Sequence, residues 1–109
     1  MAYDEGLAQR IRNLLQDRGD VVEKKMFGGL CFMIRGHMAC GIVQDELMVR
    51  VGKEAYEEAL ALPHAREMDF TGRALKGMVY VGVDGIADNK GLAAWVARGT
   101  AHAESLPPK

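Results

Sequence analysis

Asp69, Thr71, Arg73 and Lys76, spread over eight positions that include Gly72, form the densest group of chemistry-bearing side chains in this sequence. A guanidinium, an ammonium and a hydroxyl near glycines have the makings of a phosphate or carboxylate site, with Arg50 as a further cation. The plainer reading is a structural loop, in which Asp69 and Thr71 bond to local backbone. Cys31 and Cys40 are the two cysteines. A redox pair would want a lowered thiol pKa, from a helix N-terminus or a cationic pocket. Neither surrounds them, so they read as small buried hydrophobes. His37, His64 and His102 match no metal-ligand spacing, and neither a metal nor a cofactor is expected. Gly28-Gly29 reads as a turn, because a phosphate loop wants Lys-Ser/Thr and a helix after its glycines, and Leu30-Cys31-Phe32 supplies neither.

Composition narrows the partners. The 109 residues carry 14 Lys and Arg against 15 Asp and Glu, a net charge of -1. Such balance argues against direct nucleic-acid binding, which usually shows a basic excess. No apolar run approaches the roughly 20 residues that span a bilayer, and the acidic start Met1-Ala2-Tyr3-Asp4-Glu5 lacks a signal-peptide core. A single domain over residues 1–109, in the cytoplasm and without a membrane partner, is the expectation.

The elements that must position these residues follow from periodicity. Asp4 is placed to cap a first helix whose Leu7, Ile11, Leu14 and Leu15 make one apolar stripe, with Gly19 as its stop. Val21 to Met26 reads as a strand, its Glu23 and Lys24 suggesting an end or edge position exposed to water. Arg35-Gly36 predicts a two-residue hairpin that sets Ile34 opposite His37, Met33 opposite Met38 and Cys31 opposite Cys40. A second turn at Asp45-Glu46 sets Ile42 opposite Val49 and Cys40 opposite Val51. On that register Cys31, Met33, Met38, Cys40, Ile42 and Val49 face the helices. Phe32, Ile34, His37, Val43 and Met48, with Arg50, take the opposite face. Helices over Glu54 to Ala61 and from Asp88 onward, a short strand at Met68-Asp69-Phe70 and a strand from Met78 to Val83 complete the chain; the segment between His64 and Gly77 is otherwise irregular. The last helix carries an inward stripe of Leu92, Trp95, Val96, Gly99 and Ala103. The fold class is α+β, a two-layer sandwich of one mainly antiparallel sheet with helices chiefly on one face, in the order α-β-β-β-β-α-β-β-α.

A family pattern rides on these elements. Lys25-Met26-Phe27-Gly28-Gly29, Leu47-Met48-Val49-Arg50-Val51, Met68-Asp69-Phe70-Thr71-Gly72-Arg73, then Leu92, Trp95-Val96 and Ser105-Leu106-Pro107-Pro108-Lys109 occur in order along nearly the whole chain. This combination resembles the TfoX N-terminal domain family. The resemblance implies a two-layer fold similar to secretion chaperones, and it relates the chain to the competence regulator TfoX, or Sxy, associated with the cAMP receptor protein. That regulator carries a second, C-terminal domain, and this sequence resembles only the first. A methyltransferase reading fails on the residues, since no glycine-rich cofactor loop opens a helix after a strand.

Two functions remain. The first is a small interaction or regulatory module that meets a protein partner, or a second copy, through the sheet face bearing Phe32, Ile34, His37, Val43 and Met48. The second is a small-anion binder or enzyme using Arg50, Asp69, Thr71, Arg73 and Lys76. The first is preferred, because catalysis needs mutually positioned acid, base and nucleophile groups and the sequence shows no such set.

Overall fold

A computed structural model describes residues 3–26, 28–70 and 73–107, with the side chains of residues 26, 68–70 and 73–76 outside that description. The elements are α1 (Glu5–Leu14), β1 (Val21–Met26), β2 (Gly29–Ile34), β3 (His37–Val43), β4 (Glu46–Arg50), α2 (Tyr56–Leu60), β5 (Ala65–Phe70), β6 (Arg73–Val81) and α3 (Asn89–Glu104), with a 3-10 turn over Val83–Ile86 before α3. The fold is α+β in the expected order, built on one six-stranded sheet.

Local chemistry sets the helix starts. Asp4 accepts a hydrogen bond from the Leu7 amide at 3.2 Å, and Asp88 accepts one from the Gly91 amide at 2.8 Å. Each satisfies an amide that the first helical turn leaves without an intrahelical partner. The far end of α1 differs from expectation. It stops at Leu14, and Leu15 closes it by returning its amide to the carbonyls of Ile11 and Arg12. Leu15 stays buried all the same, but Leu14 of the expected stripe is exposed, so the buried stripe is Leu7, Ile11 and Leu15.

The strands pair antiparallel in the order β1-β2-β3-β4-β6-β5, which puts β1 on an edge. The hairpin at Arg35-Gly36 forms as expected, with φ of 54° and 86°, and sets Ile34 opposite His37 and Met33 opposite Met38. One step further the register breaks. Phe32 pairs with Cys40 and Cys31 with Gly41, leaving Ala39 as the extra residue of a β-bulge. A one-residue slip exchanges the two faces. Phe32 and Ile34 therefore turn toward the helices, and His37 shares their side, while Cys31, Met33 and Met38 turn away. This corrects the expected faces of all six residues.

The next hairpin turns at Gln44-Asp45, with Val43 opposite Glu46 and Cys40 opposite Val49. It is two residues from the expected register, an even shift, so the faces survive. Leu47 and Val49 enter the main core, and Met48 faces away. The segment expected to be irregular is mostly the β5–β6 hairpin, with Asp69 opposite Ala74, Phe70 opposite Arg73, and a bulge between Glu67 and Asp69.

All three helices cover the same face of the sheet. Ile11 of α1, Tyr56 and Ala59 of α2, and Leu92, Trp95 and Val96 of α3 join Phe32, Ile42, Leu47 and Val49 in one core. The approach of α3 to β3 is tight: Gly99 lies against the Ala39 carbonyl, and a side chain at position 99 would overlap that oxygen. Gly99→Ala is therefore expected to destabilise the fold by about 2 kcal/mol, overpacking outweighing the ~1 kcal/mol gain in helix propensity. The measurement is the urea midpoint, which should fall with an unchanged m-value; an unshifted or raised midpoint would refute the contact.

Candidate functional site

The described structure opens a cleft of about 1040 Å³ where the end of β4, the turn after it and the end of α3 meet. Arg50 is the last residue of β4, Lys53 lies in the turn leading to α2, and His102 sits near the end of α3. Met78 and Leu106 supply apolar wall, and Glu54 is the acidic residue on its lining. Backbone makes the floor. The Gly77 carbonyl accepts the amides of Val51 and Gly52 at 2.8 and 3.0 Å. Gly52 has φ of +87°, and a Cβ there would fall 2.6 Å from the His102 ring. Only glycine lets the imidazole lie against the chain at this point.

The electrostatics of the cleft are lopsided. Neither Arg50 nor Lys53 has an ion-pair partner among the described residues. His102 is held below its ordinary 6.5 by burial first, then by the charges of Arg50 and His37. His37 is buried, its Nε2 2.6 Å from the Pro107 carbonyl oxygen. A carbonyl only accepts, so Nε2 carries the proton. The other nitrogen, Nδ1, is buried with no partner among the described residues.

The sequence-predicted residues are distributed as follows. Arg50 lines the cleft. Asp69, Arg73 and Lys76 belong to the strands of the β5–β6 hairpin, not to an irregular loop. Their side chains, and Thr71 altogether, lie outside the described residues. Val43 and Met48 lie on the face away from the helices, as expected, within a cluster made of strand residues alone. Cys31, Met38 and Met48 are buried there, and Met33, Val43, Met78 and Tyr80 are half-buried around them. Phe32 and Ile34 lie beneath the helices instead. At the margin of this face, Arg66 forms a two-pronged ion pair with Glu46 and stacks 4.9 Å from the centre of the Tyr80 ring. Met78 belongs to both the methionine face and the cleft.

Sequence reasoning missed Lys53 and His102. Lys53 follows Gly52 shortly after the end of β4, a mild signal for a strand-end site. Nothing in the sequence joins it to a histidine 49 positions later on another element (102 less 53). The cysteines do not face each other. Cys40 lies in the main core and Cys31 on the far side of the sheet. Burial pushes Cys31 up to about 11 and Cys40 to about 12, the latter helped by Cys31. Among the described residues no group of three His, Cys, Asp or Glu is placed to hold a metal ion, and no helix is long and apolar enough to cross a membrane.

The model of the TfoX N-terminal domain family covers residues 13–103. No curated protein and no solved structure matches the chain.

Two outcomes follow from the titratable groups. Both thiols are expected to resist a thiol reagent at pH about 8 until the protein unfolds, because the thiolate is the reactive form and burial disfavours it. Fast labelling of either cysteine in the native state would contradict that burial. His102, depressed in the fold, is neutral at pH values where the unfolded chain's imidazole already binds a proton. Its contribution to stability is thus complete above 6.5 and is lost as pH falls toward the folded value. Urea midpoints across that range should drop more for the native protein than for His102→Asn; parallel curves would exclude His102 as the cause.

Proposed function

This chain belongs to the TfoX N-terminal domain family, and from that membership we infer that it is a small regulatory module that works by holding another protein. The surface we assign to the contact is the strand-only face of the sheet. The observation that carries the assignment is the position of the helices: α1, α2 and α3 all enter the one core on the opposite side, leaving Met33, Val43, Met78 and Tyr80 half-buried with no described helix over them. Methionine suits such a surface. Its unbranched, polarizable side chain moulds to an apolar partner at low cost.

Charge selects the occupant. Register puts Lys24 opposite Cys31, and strand alternation puts Arg50 on the same side as Met48. Glu46, the acidic residue at the margin, is already engaged by Arg66. The charges left over on this face, among the described residues, are cationic. A second copy would bring like charges together. The surface fits an amphipathic segment of another protein, with an apolar stripe flanked by acidic residues.

The test uses protein labelled with 13C at its methionine methyls and a designed helical peptide with a leucine stripe flanked by glutamates. Titration should shift Met33 and Met78, with affinity reduced about tenfold in Val43→Lys and in a peptide whose flanks are lysine. Light scattering of the free protein should return a monomer. An absence of shifts at those methyls, equal binding of the lysine-flanked peptide, or a dimer that buries the same methyls would each overturn the reading.

A further inference from the structure

We propose that the cleft between Arg50, Lys53 and His102 is a binding site for a small amphiphilic anion, a carboxylate or phosphate head on a short apolar body. The proposal stands on the cleft's own geometry and does not depend on the sheet face meeting a protein. Three elements converge to make it. The end of β4 brings a guanidinium, the following turn an ammonium, and α3 an imidazole, all on one cleft. With Glu54 as the acidic residue on the lining, cationic and protonatable groups predominate. A guanidinium can grip an anion with two parallel hydrogen bonds, and a lysine adds a point charge.

The apolar part of the ligand has its own surface. Val51, Ala55, Met78 and Leu106 line the same cleft, whose volume of about 1040 Å³ is generous for a bare inorganic ion. Pockets that hold small organic molecules run to about 300–1,000 Å³ and combine apolar wall with a few convergent polar groups. This composition points to an anion carrying several carbons.

The histidine is pre-positioned for such a ligand. Its ring lies against Gly52, a contact that any side chain at position 52 would destroy. The charges of Arg50 from β4 and His37 from β3 act on it, and Lys53 and Glu54 from the turn before α2 line the same cleft. Arg50 opposes protonation of His102. An anion between the two reverses that balance, because its charge stabilises the imidazolium and the guanidinium together. Binding therefore takes up a proton, and affinity rises as the pH falls toward the histidine's lowered pKa.

The experiment is calorimetric titration with octanoate, octyl phosphate and, as the uncharged control, octyl glucoside. At least one anion is expected to bind saturably with a Kd below ~1 mM, its preference naming the head group, while octyl glucoside gives no saturable heat. Lys53→Met, an exposed position outside the core, should weaken binding about tenfold, and so should His102→Gln. Octanoate, whose own charge is constant over the range, should bind more tightly at pH about 6 than at about 8, a difference that His102→Gln abolishes. Val43→Lys, on the methionine face, should leave anion binding unchanged, which separates this site from the protein contact. Equal affinity for octyl glucoside, no saturable binding by either anion, or an unaltered Kd in Lys53→Met would overturn the proposal.

Discussion

The contact between Gly99 of α3 and the Ala39 carbonyl of β3 is the constraint on which the rest of the structure depends. A helix usually rests on a sheet at a distance set by the side chains between them. Here the bulge makes Ala39 the extra residue of its strand, and the helix answers with a residue that has no side chain. Ala103, one turn further along α3, and Ile34 of β2 close the same small cluster. The chain thus gains tight packing at the cost of a broken ladder. Because the end of α3 is anchored there, His102 and the chain beyond it are delivered to the edge of the cleft.

The same bulge decides what each face of the sheet is made of. Without it, Cys31 and Cys40 would be cross-strand neighbours and Phe32 would face away from the helices. With it, Phe32 and Cys40 join the main core, and Cys31 joins the methionines behind the sheet. Burial then raises both thiols well above neutrality. Redox chemistry between them is thereby disfavoured twice, once by their separation across the sheet and once by protonation. The unequal faces that result are a large core roofed by three helices and a small methionine cluster made by strands alone.

How much of this could be read from the sequence depended on whether a signal is local. The capping aspartates, the apolar stripe of α3, the Arg35-Gly36 turn and the family pattern are local, and the structure bears them out. The bulge is local too, but Met38-Ala39-Cys40 is an unbroken run of apolar or small residues. An alternation rule has nothing to grip there, so one extra residue passes without trace and every face on β2 inverts. The β5–β6 hairpin was hidden for the opposite reason. Its polar residues and glycines resemble a loop, while backbone pairing from Ala65–Val81 to Phe70–Arg73 holds it extended. The cleft was the least legible feature, because Arg50, Lys53 and His102 meet only once α3 has folded back over the end of the sheet. Arg50 was singled out for its charge, whereas Lys53 and His102, which line the cleft with it, were not.

That cleft and the methionine face are not independent surfaces. Met78 belongs to both, and Arg50 lines one while its strand position points it toward the other. One guanidinium cannot give its full charge to an anion in the cleft and to an acidic partner on the sheet at once. Any ligand that engages Arg50 from one side therefore lowers its worth to a ligand on the other, and by linkage the reverse holds to the same degree. The coupling needs no conformational change, only a shared charge and a shared apolar wall. Its size is bounded by what one partly exposed ion pair contributes, about 1 kcal/mol or less. In a domain whose described helices are committed to a single core, that shared residue is a route by which a small anion would bear on a protein contact.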